Sequence, residues 1–268
     1  MEISVIIPTY KPQSYLWECL QSIVNQTFDK ALYEIIIVLN GCNDPYYSEI
    51  QSYIQNHMLS YQVQLIQTDM GGVSNARNIG LAHAKGAYVC FIDDDDYISS
   101  TYLEELHKKA DKHSIILTYP YAFHDGNAKT QLPYRITEAY DYCTKHHCYT
   151  LQSKARKFFA GPCMKLIPME VINGRQFDVR LKIGEDSLFM FLVSNKVRHI
   201  QFTSKNAVYY RRYRANSAIL SSTFAQRLVN AFLLIQSYSS IYFSNIQEYS
   251  FNFYFTRILG SIRSIIQR

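Results

Sequence analysis

Tyr88-Val89-Cys90-Phe91-Ile92-Asp93-Asp94-Asp95-Asp96 joins five apolar residues to four carboxylates. The apolar part has no polar break, the pattern of a strand in a sheet covered by helices on both faces. The acids stand where that strand would end. In an extended chain Asp93 and Asp95 project to the same face. Neighbouring carboxylates repel one another unless a cation shares their site. Oxygen-only ligands suit Mg²⁺ or Mn²⁺, which keep positions open for the oxygens of a substrate diphosphate. Taken alone, the run reads equally well as a solvated acidic turn that starts the next helix.

Outward from this stretch, short apolar runs alternate with amphipathic ones at the spacing of βα units. Ile3 to Ile7 reads as a first buried strand ended by Pro8, and Leu16, Leu20, Ile23 and Val24 recur at helical spacing after it. Glu34 to Val38 forms a second strand closed by Asn40-Gly41, and Val63 to Ile66 a third. Gly71-Gly72 turns into a helix carrying Val73, Ala76, Ile79, Gly80 and Ala84. Past the acids, Thr101-Tyr102-Leu103-Glu104 has the form of a capping box, and Ile115 to Tyr119 gives a fifth strand. The expected fold is α/β: an open, doubly wound, mostly parallel sheet flanked by helices, with ligands at the carboxyl ends of its strands. Residues 120 to 160 are less regular, and Gly184-Glu185-Asp186 leads into the apolar run Leu188 to Val193. The expected parts are 1–120 and 121–223, two halves of one domain, and 224–268, a helical, basic and aromatic extension.

At 268 residues, 48% hydrophobic and 18% charged, the chain is globular rather than disordered. Its net charge of +5 is uneven: residues 1–195 carry 17 Lys and Arg against 21 Asp and Glu, and residues 196–268 carry 10 against 1. Such a tail favours anionic partners. No apolar run is long enough to span a bilayer, and Met1 leads directly into a strand pattern, so a cytoplasmic protein is expected. The 224–268 segment reads either as amphipathic helices contacting the inner face of the cell membrane peripherally or as helices packed on the domain.

The first βα turn, Ile7-Pro8-Thr9-Tyr10-Lys11-Pro12, has no G-x-G-x-x-G and no P-loop, which argues against dinucleotide and ATP phosphate cradles. The ordered set Ser4 to Tyr10, Ala76-Arg77-Asn78, Phe91 to Asp96 and Gly184-Glu185-Asp186 resembles glycosyltransferase family two, inverting enzymes of the GT-A fold, over roughly residues 2 to 217. The resemblance implies an inverting transfer of a sugar from a nucleotide-sugar donor, favoured as UDP-linked, to a saccharide or lipid-linked saccharide in polysaccharide biosynthesis. It implies that Pro8, Thr9, Tyr10, Asn40, Arg77, Asp93, Asp94 and Asp95 bind the donor. Asp93 and Asp95 would hold Mn²⁺ or Mg²⁺, and Asp186 would be the catalytic base, which makes 1–120 the nucleotide-sugar-binding half and 121–223 the acceptor-binding and catalytic-base half. A base is needed because the acceptor hydroxyl loses its proton as it attacks. Asp186 at a helix N-terminus is expected to be held ionised by the helix dipole. The chain departs from the family pattern at Leu39-Asn40-Gly41, where Asp-Asp-Gly is usual, and at Lys11, where Asn is usual. The basic stretch Tyr209 to Arg214 could supply cations to the diphosphate. The alternatives are a non-catalytic nucleotide- or saccharide-binding relative and a response-regulator-like phosphoacceptor domain; nucleic-acid binding through the tail is the weakest reading.

Overall fold

A computed structural model describes residues 1–214 and 223–266. Residues 215–222, near the end of the expected second part, and residues 267–268 lie outside the described residues. Strands β1 (Ile3–Thr9), β2 (Tyr33–Asn40), β3 (Gln62–Thr68) and β4 (Tyr88–Phe91) alternate with helices α1 (Tyr15–Val24), α2 (Tyr46–His57) and α3 (Val73–His83). There follow β5 (Tyr97–Ile98), α4 (Tyr102–His107), β6 (Ser114–Leu117), β7 (Tyr119–His124), α5 (Arg135–His146) and a 3-10 helix (Lys154–Ala160). The remainder is β8 (Lys165–Pro168), α6 (Met169–Ile172), α7 (Glu185–Val193), β9 (His199–Phe202), β10 (Val208–Tyr213), α8 (Phe224–Ser244) and α9 (Phe251–Ile266).

The main sheet has the order β3-β2-β1-β4-β8-β6-β9. Pairing is parallel across β3-β2-β1-β4 and between β6 and β9, and β8 is antiparallel to both its neighbours, β4 and β6. The expected mostly parallel, doubly wound sheet is therefore present, with one reversed strand. Its centre is dry: every residue of β1 and β2 is buried, α3 packs on both so closely that a Cβ at Gly80 would meet Ile6, and α1 buries Leu16, Cys19, Leu20 and Ile23. That spacing of three and four residues is one helical face.

Several local expectations are corrected. β1 continues through Pro8 to Thr9; a proline lacks only its own N–H, and a strand's last residues can spare one donor. The fifth strand is divided at Thr118, so that β6 stays in the main sheet while β7 joins β10 and β5 in a second, three-stranded sheet. The capping box at α4 does not form: Thr101 Oγ1 donates to the carbonyl of Asn206 at 3.1 Å, and Glu104 accepts from Thr27 at 2.6 Å and pairs with Lys108 at 2.9 Å.

The reversal of β8 positions the site. Because it runs against β4, the loop that precedes it, Gly161-Pro162-Cys163, lies at the same edge of the sheet as the carboxyl ends of β1, β2 and β4. The second sheet brings β10 over the acidic segment between β4 and β5. α8 and α9 pack on each other through Tyr242 and Tyr254, whose rings stack at 4.4 Å, and on α7 through Phe191 and Tyr238 at 5.2 Å. No helix among the described residues is long and apolar enough to cross a membrane.

Candidate active site

The four aspartates form a turn between β4 and β5 rather than an extension of the strand, closed by the Asp96 amide donating to the Asp93 carbonyl at 3.0 Å. Asp93 and Asp95 therefore do not share a strand face. Asp93 accepts from Arg77 Nη2 at 2.8 Å, Asp94 accepts from Thr9 Oγ1 at 2.5 Å, and Asp95 pairs with Arg214 at 2.7 Å. Asp96 turns inward and accepts from the Arg212 amide at 2.8 Å. Among the described residues no three His, Cys, Asp or Glu side chains converge as a metal cluster. The donor chemistry still suits a hard cation: oxygen ligands alone, with the Asp95 carboxyl pushed up by desolvation and by the charge of Asp93. Desolvation also raises Asp94, to about 7, against the Thr9 hydrogen bond.

Arg77 joins the two ends of the site. It projects from the second turn of α3, is 2% exposed, and its guanidinium donates to Asp186 Oδ1 with Nη1 and to Asp93 Oδ1 with Nη2. Such a pair of carboxylates holds the guanidinium charged despite its burial, and the Arg77 pKa is raised. Asn78, the next residue, exchanges hydrogen bonds with the backbone of Phe177 at 2.8 and 2.9 Å. Phe177 stacks on Phe189 of α7 at 3.8 Å, which fixes the helix whose first turn carries Asp186. Asn78 thus positions the base candidate, a role that needs a contact across 99 residues and that no local pattern announces.

The turn before α7 depends on Gly184, which has φ +87, and a Cβ there would stand 2.7 Å from Leu234 of α8. Beyond it, Glu185 is 8% exposed, its Oε2 has no hydrogen-bond partner, and burial with the adjacent Asp186 charge pushes its carboxyl to about 7. Asp186 also moves upward, desolvation being the largest cause and Arg77 opposing it. Burial therefore outweighs the helix dipole that was expected to hold Asp186 low. Its second oxygen, Oδ2, faces Gly161, where an added Cβ would stand 3.6 Å from it.

These groups open into a cavity of about 710 Å³ lined among others by Asp93, Glu185, Asp186, Gly161, Tyr134 and Arg211. Arg211 donates to the Tyr134 hydroxyl at 3.2 Å, and Arg212 holds the Asp95 carbonyl at 2.8 Å. The basic stretch thus reaches the acid cluster, as cations for its aspartates.

The donor-side residues divide into a lining and a frame. Tyr10 is 53% exposed beside Gly41 at the carboxyl edge. Pro8 is buried within β1, paired with Val38. Asn40 is also buried and spends its amide on the backbone: Nδ2 donates to the Thr9 carbonyl at 2.7 Å and Oδ1 accepts from the Gly72 amide at 2.9 Å. It ties β1 to the turn before α3 instead of presenting its amide to a base. Lys165, not singled out in the sequence, is wholly buried at the start of β8 and donates to the carbonyls of Gly161 and Cys163. A lysine followed by apolar residues at a strand start gives no sign of such a role.

The Glycosyl transferase family 2 profile matches residues 4–172. The chain belongs to glycosyltransferase family 2. Among its relatives is the poly(ribitol-phosphate) beta-N-acetylglucosaminyltransferase TarS of Staphylococcus aureus, 28% identical over 224 residues, 83% of this chain and 37% of TarS. The chain thus spans little more than a third of that relative. The crystal structure of TarS residues 1–349 with UDP-GlcNAc superposes with a TM-score of 0.69 at 20% identity, covering 99% of this chain and 82% of that one. The mannosyltransferase PcManGT of Pyrobaculum calidifontis, solved with GDP-Man and Mn²⁺, gives 0.62 at 17% identity, over 98% of this chain and 69% of that one. The fold is of the GT-A type, with a helical C-terminal segment. In this family 2 chain, Asp186 and the arginines of β10 lie beyond the matched residues and are brought to the aspartate turn by the fold.

Proposed function

We propose that the chain is an inverting glycosyltransferase that moves a sugar from a nucleotide-sugar donor, by preference UDP-linked, to a saccharide or lipid-linked saccharide in the assembly of a polysaccharide or teichoic-type polymer. The observation that carries this reading is the Arg77 bridge, which holds Asp186 and Asp93 on one guanidinium at the carboxyl edge of the sheet, both lining one cavity. The donor lies over the ends of β1, β2 and β4, with Tyr10 free to stack on its base and Asp93, Asp94 and Asp95 toward its phosphates. A Mn²⁺ or Mg²⁺ ion held by Asp93 and Asp95 would neutralise charge gathering on the departing diphosphate. The cations of β10 lie on the same side.

The acceptor hydroxyl approaches from the Gly161 and Tyr134 side and gives its proton to Asp186 as its oxygen bonds the anomeric carbon. The bond from that carbon to the diphosphate oxygen breaks, and the nucleoside diphosphate leaves with the electron pair. One displacement with one base inverts the anomeric centre. The raised Asp186 pKa makes its carboxylate a better proton acceptor, and Arg77 limits the rise so that the ionised form stays accessible.

Asp186→Asn is expected to abolish transfer while still binding donor, seen as a retained thermal shift with UDP in the presence of Mn²⁺. Full activity in that variant would remove Asp186 from the role. The same measurement with GDP names the base.

A further inference from the structure

Three arginines lie on elements packed against one another beside the cavity, and among the described residues no acid pairs with any of them. Arg135 begins α5 and lines the cavity, and Arg156 sits in the 3-10 helix that contributes Phe158 and Ala160 to the same lining. Arg257 of α9 lies over the Phe253 ring at 4.6 Å, and that ring meets Phe159 of the 3-10 helix at 5.9 Å. The three elements are therefore in one packed cluster. Among the described residues none of the three guanidiniums makes an ion pair or a side-chain hydrogen bond, and Arg257 Nε is buried without a partner. Glu138, on the next turn of α5, leaves Arg135 unpaired.

The electrostatics agree with the geometry. Desolvation and the charges of Arg156 and Arg135 act together to lower the Arg257 pKa, and the Tyr238 phenol opposes them. α5 adds to the positive field, because its N-cap residue Tyr134 supplies no side-chain cap and leaves the first-turn amides to other partners. Arg135 is exposed and Arg156 half-buried, so the group opens to solvent on that side. Arg257 keeps its Nε buried and cannot shed its proton to relieve the neighbouring positive charge. A bound anion reaching in from the solvent side would supply the missing counter-charge. Planar guanidiniums offering paired N–H groups match phosphate oxygens.

We propose that Arg135, Arg156 and Arg257 form a phosphate-binding site at the acceptor side of the cavity, which receives a phosphate or diphosphate group carried by the acceptor. The assignment rests on the reading of Asp186 as the base and extends it: the acceptor is anionic, and its phosphate is anchored beside the hydroxyl that reacts. The site is distinct from the aspartate turn, where Arg77, Arg212 and Arg214 already have acidic partners.

Inorganic phosphate and pyrophosphate, titrated onto the full chain and followed by calorimetry, test the site without any turnover. Binding is expected in the unaltered protein and is expected to weaken by about tenfold for each of Arg156→Gln and Arg257→Gln, the scale of one charged hydrogen bond. Arg135→Gln, at the cavity wall, serves where melting curves show that Arg257→Gln no longer folds. In a transfer assay, the ratio of acceptor KM to donor KM should rise by about tenfold or more in the variants for a phosphate-bearing acceptor, and not for a neutral oligosaccharide. A polyol-phosphate oligomer and a short polyprenyl-diphosphate saccharide form the two acceptor arms, and the arm that responds identifies the source of the phosphate. Equal phosphate binding by unaltered and variant proteins overturns the site, and an unchanged KM ratio in both arms overturns its assignment to the acceptor. A protein that binds phosphate through these arginines yet neither transfers nor hydrolyses any nucleotide-sugar would overturn the reaction and leave the site standing.

Discussion

Arg77 carries one positive charge that two carboxylates share, and the arrangement has a measurable cost if broken. Replacing it by Met leaves Asp93 and Asp186 without a counter-charge at a site from which water is partly excluded. Those carboxylate side chains keep 38% and 30% of their exposure, so the loss is expected below the range for a fully buried pair, about 2 kcal/mol by chemical denaturation. Undiminished stability would mean that solvent takes over the arginine's part. At this scale the sequence was informative about identity and silent about partnership. Arg77, the aspartates and Asp186 stand in recognisable local contexts, but the Arg77 contact to Asp186 spans 109 residues and follows only from the packed fold. Asn40 could be located and not interpreted, since its two backbone bonds depend on where β1 and the Gly72 turn meet.

Among elements, the turn into α7 shows how the C-terminal helices bear on the site. Gly184→Ala places a methyl group against Leu234 at a backbone angle that disfavours side chains, and should lower stability by about 2 kcal/mol, or roughly 4–8 °C in Tm for a chain of this size. Adding Leu234→Ala should cost less than the sum of the two single changes, because the contact that is lost is the one that clashes. Additive losses would place α8 elsewhere in solution. The strands of the parallel half were legible because each is a buried apolar run. α2 was not, because Ile50 is its only fully buried residue and a helix lying so lightly on the sheet leaves little periodicity. The irregular reading of residues 120–160 has a related origin: β7 pairs with β10, whose first residue, Val208, meets Tyr119 across 89 residues of sequence, so no local pattern marks the strand.

For the whole molecule, Lys165 ties stability to pH. Burial pulls its pKa from 10.5 to about 7, so between those values the unfolded chain binds a proton that the folded chain does not. Stability from this group therefore rises with pH across that window, with a slope approaching about 1.4 kcal/mol per pH unit. Denaturant titrations of the unaltered protein and Lys165→Met at pH 7, 8 and 9 should diverge by this slope, and parallel curves would refute it. The same strand has a consequence for synthesis. β4 is complete at Phe91, but the neighbour that covers its outer edge begins only at Lys165. A ribosome adding about 5–20 residues per second needs roughly 4–15 s to make the 73 residues between them. During that interval a nascent chain already holding the whole aspartate turn presents an open, apolar strand edge, the kind that other chains can join.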